Sequence, residues 1–387
     1  MPTYVRKRNA IVAVKQETTA GTDIWNAGAP ATATDYMRAD AAISFNQSQV
    51  ANPEMIGSLD DAPPIAAGTK GTVTLTCMAR GSGAAGTAPK WGKLMPCCSY
   101  KETTVTAISA TVLTAGTATT ATLGVGYVAT NSLYQGAPIT LAVNPVTPVT
   151  TWVLDNTALV ASLSSTFAPV LSTATTAAIP QHIKYTPTSD QSLIKTCSIL
   201  VCIDGAAWRF VGMQGSWTLD VPTGGAGTLK FTMVGIFVGM ETFTFPTGFV
   251  VDTGQPPIFI GGQCRLDRNV VRVSKMSFDA GVTVIQPENP EATLGFDPSI
   301  ITQRDCKGSL DPLMSITETV GRMTNFTNGS VTGFAATLGT TAGNRIGVVC
   351  PGIMYTGNTP TDRNNLMAET LPFQATVADA GLILVHF

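Results

Sequence analysis

The stretch GTVTLTCMAR, residues 71–80, alternates strictly: Val73, Leu75 and Cys77 fall on one side, Thr72, Thr74 and Thr76 on the other. Successive side chains of an extended chain point to opposite faces, so this period of two predicts a half-buried strand. The period recurs at Trp217, Leu219 and Val221, and again at Leu229, Phe231 and Met233 beyond a Gly-rich turn. CSILVCIDGAAWRFVG reads as two strands about Asp204-Gly205, a dipeptide suited to a type I′ hairpin turn. Helical periodicity is rare. TAPKWGKLMPCC sets Trp91, Leu94 and Met95 at i, i+3 and i+4, with Thr87 placed to cap and Pro96 expected to end the helix early. DPLMSITETVGRMTNF predicts a second helix, with Leu313, Ile316, Val320 and Met323 on a face packed on the sheet.

The two halves of the chain resemble each other. AAISFNQ is matched by SKMSFDA, which pairs Ser44-Phe45 with Ser277-Phe278. NPEMIGSLDDAPPIAAGTKG is matched by NPEATLGFDPSIITQRDCKG. Asn52-Pro53-Glu54 then corresponds to Asn289-Pro290-Glu291, and Lys70-Gly71 to Lys307-Gly308, with equal Pro-to-Gly separations. A short helix, a hairpin and two further strands follow in each half, so an internal duplication is expected. The division is a first domain of residues 1–102 plus 182–250 and a second of residues 251–387, meeting near Pro256-Pro257. Residues 103–181, rich in Thr, Ala and Val, have no counterpart and predict an inserted β domain that projects from the core.

Chemistry is hard to assemble from this sequence. It has two histidines, His182 and His386, and a nucleophile, base and orienting group do not gather around either. PTGGAGTLK joins strand to strand, whereas a phosphate loop opens a helix. The eight cysteines form no CxxC pair and are read as reduced, buried small hydrophobes. No catalytic, cofactor or metal residue is therefore assigned, and no enzyme is expected. Asp60-Asp61 invites a catalytic reading, but adjacent residues on an extended segment point opposite ways. Instead the long segments 46–70 and 279–307 read as equivalent contact arms. Their candidate assembly residues are Pro53, Glu54, Asp60, Asp61 and Lys70 in one, and Pro290, Glu291, Asp297, Asp305 and Lys307 in the other. Trp91, Trp208 and Trp217 are the expected core anchors.

Composition adds two constraints. Only 12% of residues are charged, about half the usual share, which suggests that partners cover much of the surface. The net charge of −2, with no basic block, argues against tight electrostatic binding of nucleic acid. The N-terminal stretch lacks the apolar core of a signal peptide, and no segment is apolar for long enough to predict a membrane helix.

RGSGAAGTAPKWGKLMPCCSY, residues 80–100, resembles a signature of the tail tube proteins of siphophages, the long flexible-tailed bacteriophages. ETTAGTDIWNAGAPATATDYMRADAAISF and KYTPTSDQSLIKTCSILVCIDGAAWRFVGMQGSWTLDV are similar to flanking parts of that family. QPPIFIGG, ITQRDCKGSLDP and AGNRIGVVCPGIMYTGNTPTDRNNLM resemble the C-terminal half of its longer members. Only the 103–181 insertion departs from the likeness. The resemblance implies a mainly β fold of two tandem tail-tube-type β-sandwich or half-barrel domains, each with a flanking short helix. It implies subunits joined edge to edge into rings, here a trimer acting as a pseudo-hexamer. The rings stack into a tube, with the 46–70 and 279–307 arms expected to bridge successive rings, and the tube is assembled in the bacterial cytoplasm and carried in the virion. Its partners would be a tape measure protein and passing DNA in the lumen, with terminator and baseplate proteins at the ends. The competing expectation is another ring-forming tail component, such as a terminator, which stops at one layer.

Overall fold

The computed structural model describes residues 5–25, 32–143, 148–244 and 248–387. Strands take up 50% of the chain and helices 6%, and the principal sheet is a half-barrel. The first strands are β1 (Ala10–Gln16), β2 (Tyr36–Met37), β3 (Asp40–Val50) and β4 (Ile65–Met78). A 3-10 helix, Lys90–Cys98, leads into β5 (Tyr100–Val105). Seven strands form a sheet of their own: β6 (Ile108–Val112), β7 (Ala115–Gly116), β8 (Thr120–Thr122), β9 (Pro138–Ala142), β10 (Val149–Thr157), β11 (Val160–Leu163) and β12 (Thr176–Ile179). The main sheet resumes with β13 (His182–Pro187), β14 (Cys197–Ile203), β15 (Ala206–Pro222) and β16 (Thr228–Thr242). After these come β17 (Cys264–Leu266), β18 (Asn269–Val270) and β19 (Val273–Asp279). β20 (Val282–Ile285) and β21 (Ile300–Arg304) make a separate two-stranded ribbon. The chain closes with β22 (Lys307–Pro312), α1 (Ile316–Asn328), β23 (Thr332–Leu338), β24 (Ile346–Tyr355), β25 (Thr359–Arg363), β26 (Leu366–Ala375) and β27 (Ile383–His386).

The alternating stretches become strands with the expected faces inward. Val73, Leu75, Trp217, Leu219, Val221, Leu229, Phe231 and Met233 all lie in one apolar core. Asp204 and Gly205 take φ of 44° and 97° and turn β14 directly into β15, with Ile203 opposite Ala206. All eight cysteines are free and buried. Among the described residues no helix is long and apolar enough to cross a membrane.

The pairing order in the first half is β3-β4-β16-β15-β14-β1-β2. In the second half it is β19-β22-β26-β24-β23-β17-β18. The two orders match strand for strand, and a helix follows the second strand of each. Register also matches at the leading hairpins, where Phe45 lies opposite Gly71 and Phe278 opposite Gly308.

Both helices depart from expectation. The first is a 3-10 helix with Pro89 at its N-cap and no side-chain cap, and it runs through Pro96 to Cys98. Proline usually strands a carbonyl one turn back. Here Gln16 Nε2, on β1, donates to the Lys93 carbonyl at 2.9 Å and satisfies it. In α1 the apolar face points away from the sheet. Ile316 is 90% exposed and Val320 62%, while Arg322 is buried. Arg322 Nη2 meets Glu369 Oε1 of β26 at 2.9 Å, and Glu369 is fully buried. Thr319 and Phe326 complete that inner face.

The inserted unit has its own core, including Leu123, Ile139, Leu141, Val153 and Leu163. It does not simply project. Trp152 and Leu154 of β10 pack on Ala335, Val349, Ile383, Val385 and Phe387 of the second half. Trp152 Nε1 donates to Thr337 Oγ1 at 3.0 Å, and Gly347 leaves room for the indole, since a Cβ there would overlap it. From the other side, Arg268 Nε donates to the Leu163 carbonyl at 3.1 Å. An apolar seat of this kind fixes the unit against the sheet more firmly than its two connecting strands would.

Candidate assembly surfaces

Within the chain the two halves meet edge to edge. β15 pairs with β19 over five positions, from Thr218 opposite Asp279 to Pro222 opposite Lys275. Lys275 Nζ and Asp220 Oδ1 add an exposed ion pair at 3.2 Å. The second half thus presents its leading strand, β19, to the outer edge of the first half's hairpin.

The counterparts of those strands have no such neighbour among the described residues. β3, which corresponds to β19, pairs only with β4. β25, the outer strand of the hairpin it makes with β26, pairs only with β26. The difference is visible in equivalent side chains: Phe278 is 2% exposed, whereas Phe45 is 54% exposed and stacks on Phe237 at 4.6 Å. The other terminal strands are poor candidates. β2 and β18 are two residues long, and β5 runs straight towards the inserted unit. Unpaired N–H and C=O groups along β3 and β25 are a template for another chain. The sequence reading missed β25; its one signal was Asn364-Asn365, which takes φ of 54° and 63° in the hairpin turn.

The two arms differ from each other. In both, the Asn-Pro-Glu entry is the same turn: Asn52 Oδ1 accepts from the Glu54 amide at 3.1 Å, and Asn289 Oδ1 from the Glu291 amide at 2.8 Å. The first arm is a long hairpin, because β3 and β4 extend into it as far as Val50 opposite Ile65. Its tip is bare. Pro53, Glu54, Asp60 and Asp61 are exposed, and Asp60 Oδ2 accepts only from Ser58 Oγ, at 2.8 Å. Met55 and Leu59 are fully exposed.

The second arm lies back on the first half. Leu294 and Phe296 pack with Val211, Ile236 and Val238. Ser299 Oγ donates to the Val234 carbonyl at 2.7 Å, and Lys70 Nζ sits 4.2 Å from the centre of the Phe296 ring. Asp297 is half-buried and accepts from Asn289 Nδ2 at 2.6 Å. Asp305 binds Lys307 Nζ and Gln374 Nε2, both at 2.6 Å. The hydrogen bond and charge of Asp305 raise the Lys307 pKa. Only Pro290 and Glu291 of this set remain exposed without a side-chain partner. The two arms are therefore similar in entry and exit but not in exposure. The single aromatic of the second, Phe296, was the signal that it is seated.

Of the expected anchors, Trp91 and Trp217 are buried, while Trp208 is half-buried at the rim. Trp91 Nε1 donates to the Arg80 carbonyl at 2.8 Å. The histidines are buried too. His182 Nδ1 lies 2.8 Å from the Pro180 carbonyl, and burial lowers its pKa to about 4. Burial also lowers the pKa of His386, whose Nε2 is 2.9 Å from the Gly343 carbonyl. No protein-family model matches the chain, and no curated protein matches its sequence.

Proposed function

We propose that this chain is a structural virion subunit that self-assembles into stacked rings, forming a phage tail tube through which DNA is delivered. The observation that carries the reading is the β15–β19 junction together with the open β3 and β25 edges. The chain joins its two matching halves edge to edge at β15–β19, with a second strand pairing at β13–β27, and leaves the counterparts of the β19 and β15 edges open in β3 and β25. A neighbour offering β3 to β25 repeats that contact between chains. Such head-to-tail contacts close into a ring when the rotation permits, and closure removes the exposed edges. The matching strand orders support a tandem pair of tail-tube-type domains. Three chains then supply six such units, a pseudo-hexamer, and the resemblance of residues 80–100 points to the same architecture. In this reading the partners are further copies of the chain, a tape measure protein and DNA in the lumen, and terminator and baseplate proteins at the ends.

The test is electron microscopy and native mass measurement of the purified full chain. Long open-ended tubes built of rings of three chains are expected. Rings of six full chains would refute the pseudo-hexamer. Rings that never stack would favour a terminator or baseplate role.

A further inference from the structure

We propose that the free arm of residues 51–64 docks into an arginine-lined groove on the next copy of the chain along the stack. This rests on the tube reading and names the surface that would receive the arm. The groove, about 740 Å³, is lined among the described residues by Arg8, Arg38, Arg80, Asp40, Met78 and Phe249. Asp40 is matched by the exposed Lys7 at 3.3 Å. Arg8, Arg38 and Arg80 form no ion pair among the described residues. Arg80 Nη1 donates only to the Asp252 carbonyl, at 2.7 Å. Met78 is 48% exposed and Phe249 39%, so the groove combines cationic groups with bare apolar surface.

The arm has the complementary chemistry. Between Ala51 and Pro64 it carries three acids, Glu54, Asp60 and Asp61, and no base. Met55 and Leu59 stand fully in solvent. Apolar side chains that bare, among paired acids, are typical of a contact waiting for its partner.

Position favours a second copy over any other occupant. The groove sits where Asp40 faces Thr76, at one end of the β3–β4 hairpin. The arm leaves from the other end, where Val50 faces Ile65. Ten residue steps of strand separate the two ends by about 33 Å, so the arm cannot fold back into its own groove. A copy displaced along the hairpin brings arm and groove together. Because donor and receiver are different surfaces on opposite ends, the contact repeats without closing, which gives an open-ended stack.

The experiment uses the full chain in three forms: Asp60→Arg with Asp61→Arg, Arg8→Glu with Arg38→Glu, and the four changes combined. Ring formation and tube length are read by electron microscopy, and polymerisation by sedimentation. The melting temperature checks that each variant folds. Each pair alone is expected to leave single rings intact and to raise the critical concentration for tubes by at least about tenfold, the equivalent of losing about 1.4 kcal/mol per contact. The combined variant should recover tubes. Normal tubes from Asp60→Arg with Asp61→Arg would overturn the docking while leaving the tube reading intact. Loss of tubes in both pairs without recovery in the combination would also overturn it. A defect confined to the arginine pair would assign the groove to another anion, such as DNA phosphate. Failure of the unaltered chain to form any ring would instead remove the tube reading itself.

Discussion

Replacing Arg322 by Met probes why α1 turns its apolar face outward. Arg322 is 5% exposed and Glu369 is fully buried. Their contacts are Nη2 to Oε1 at 2.9 Å and Nε to Oε2 at 3.2 Å. Thr319 Oγ1 donates to Oε1 at 2.6 Å, and Asn358 Nδ2 to Oε2 at 3.3 Å. Arg322→Met therefore leaves the carboxylate two neutral donors and no cation. Stranding one member of a buried pair costs about 3–5 kcal/mol. Removing both charges, with Arg322→Met and Glu369→Leu, is expected to be near neutral, because the pair's mutual attraction mainly offsets the cost of taking both ions out of water. The assay is urea unfolding followed by circular dichroism, with slopes compared so that a shift in midpoint reports stability. A loss under about 1 kcal/mol for Arg322→Met, or a double variant as unstable as the sum of the singles, would refute the reasoning.

Three further perturbations test other parts of the structure. Trp152→Ala should destabilise by about 3–5 kcal/mol and make the 105–181 segment the first site of limited proteolysis; an unchanged cleavage pattern would mean that the indole is not what seats the inserted unit. Trp91→Ala should cost about 3–5 kcal/mol, and a measured loss under about 1 kcal/mol would show the side chain is not buried. His182 has its pKa lowered to about 4 from 6.5, so the unfolded chain binds the extra proton first and stability is lost as pH falls from about 6.5 towards 4. The His182 share between pH 7 and pH 5 is about 2 kcal/mol, measured as the difference in urea midpoint shift between the native chain and His182→Asn; equal shifts in both would contradict it.

The strands were legible because each carries its own signal. Val73, Leu75 and Cys77 report a buried face whatever they face across the core, and Asp204-Gly205 reports a turn from two residues. What was not legible depends on partners far away in the chain. Pro96 reads as a helix stop until Gln16, 77 residues before Lys93, is found on the Lys93 carbonyl. The face of α1 was misread because apolar periodicity says which residues share a side but not which side is inward. Here a buried ion pair spanning 47 residues decides it. The arms were recognised as long special segments from their composition and equal spacing. That one is seated and the other bare follows from Phe296 reaching Val211 and Ile236; the lone aromatic hints at burial, but its partners lie far away in the chain. The β25 edge was missed for a related reason: openness of an edge is the absence of a neighbour, and a strand's own sequence carries little of that.

The seating of the second arm bears on how an assembled ring would behave. On the proposed reading, the β15–β19 junction is the template for every junction between chains, but it is reinforced by a second contact, Leu294 and Phe296 on Val211, Ile236 and Val238. If the first arm reaches along the stack as proposed, the β3–β25 junction between chains lacks an equivalent seat. Rings would then contain alternating junctions: three inside chains, held by the β15–β19 pairing, the β13–β27 pairing and the seated arm, and three between chains resting on strand pairing alone. Five pairs of extended backbone are a modest interface, so single rings should come apart between chains well before any domain unfolds. Stacking changes that balance. If each arm is held by the neighbouring layer, the stack holds the weaker junctions closed, and ring stability becomes coupled to tube length. The low charge of the chain fits such an assembly, in which neighbours rather than surface charge keep apolar edges from indiscriminate association.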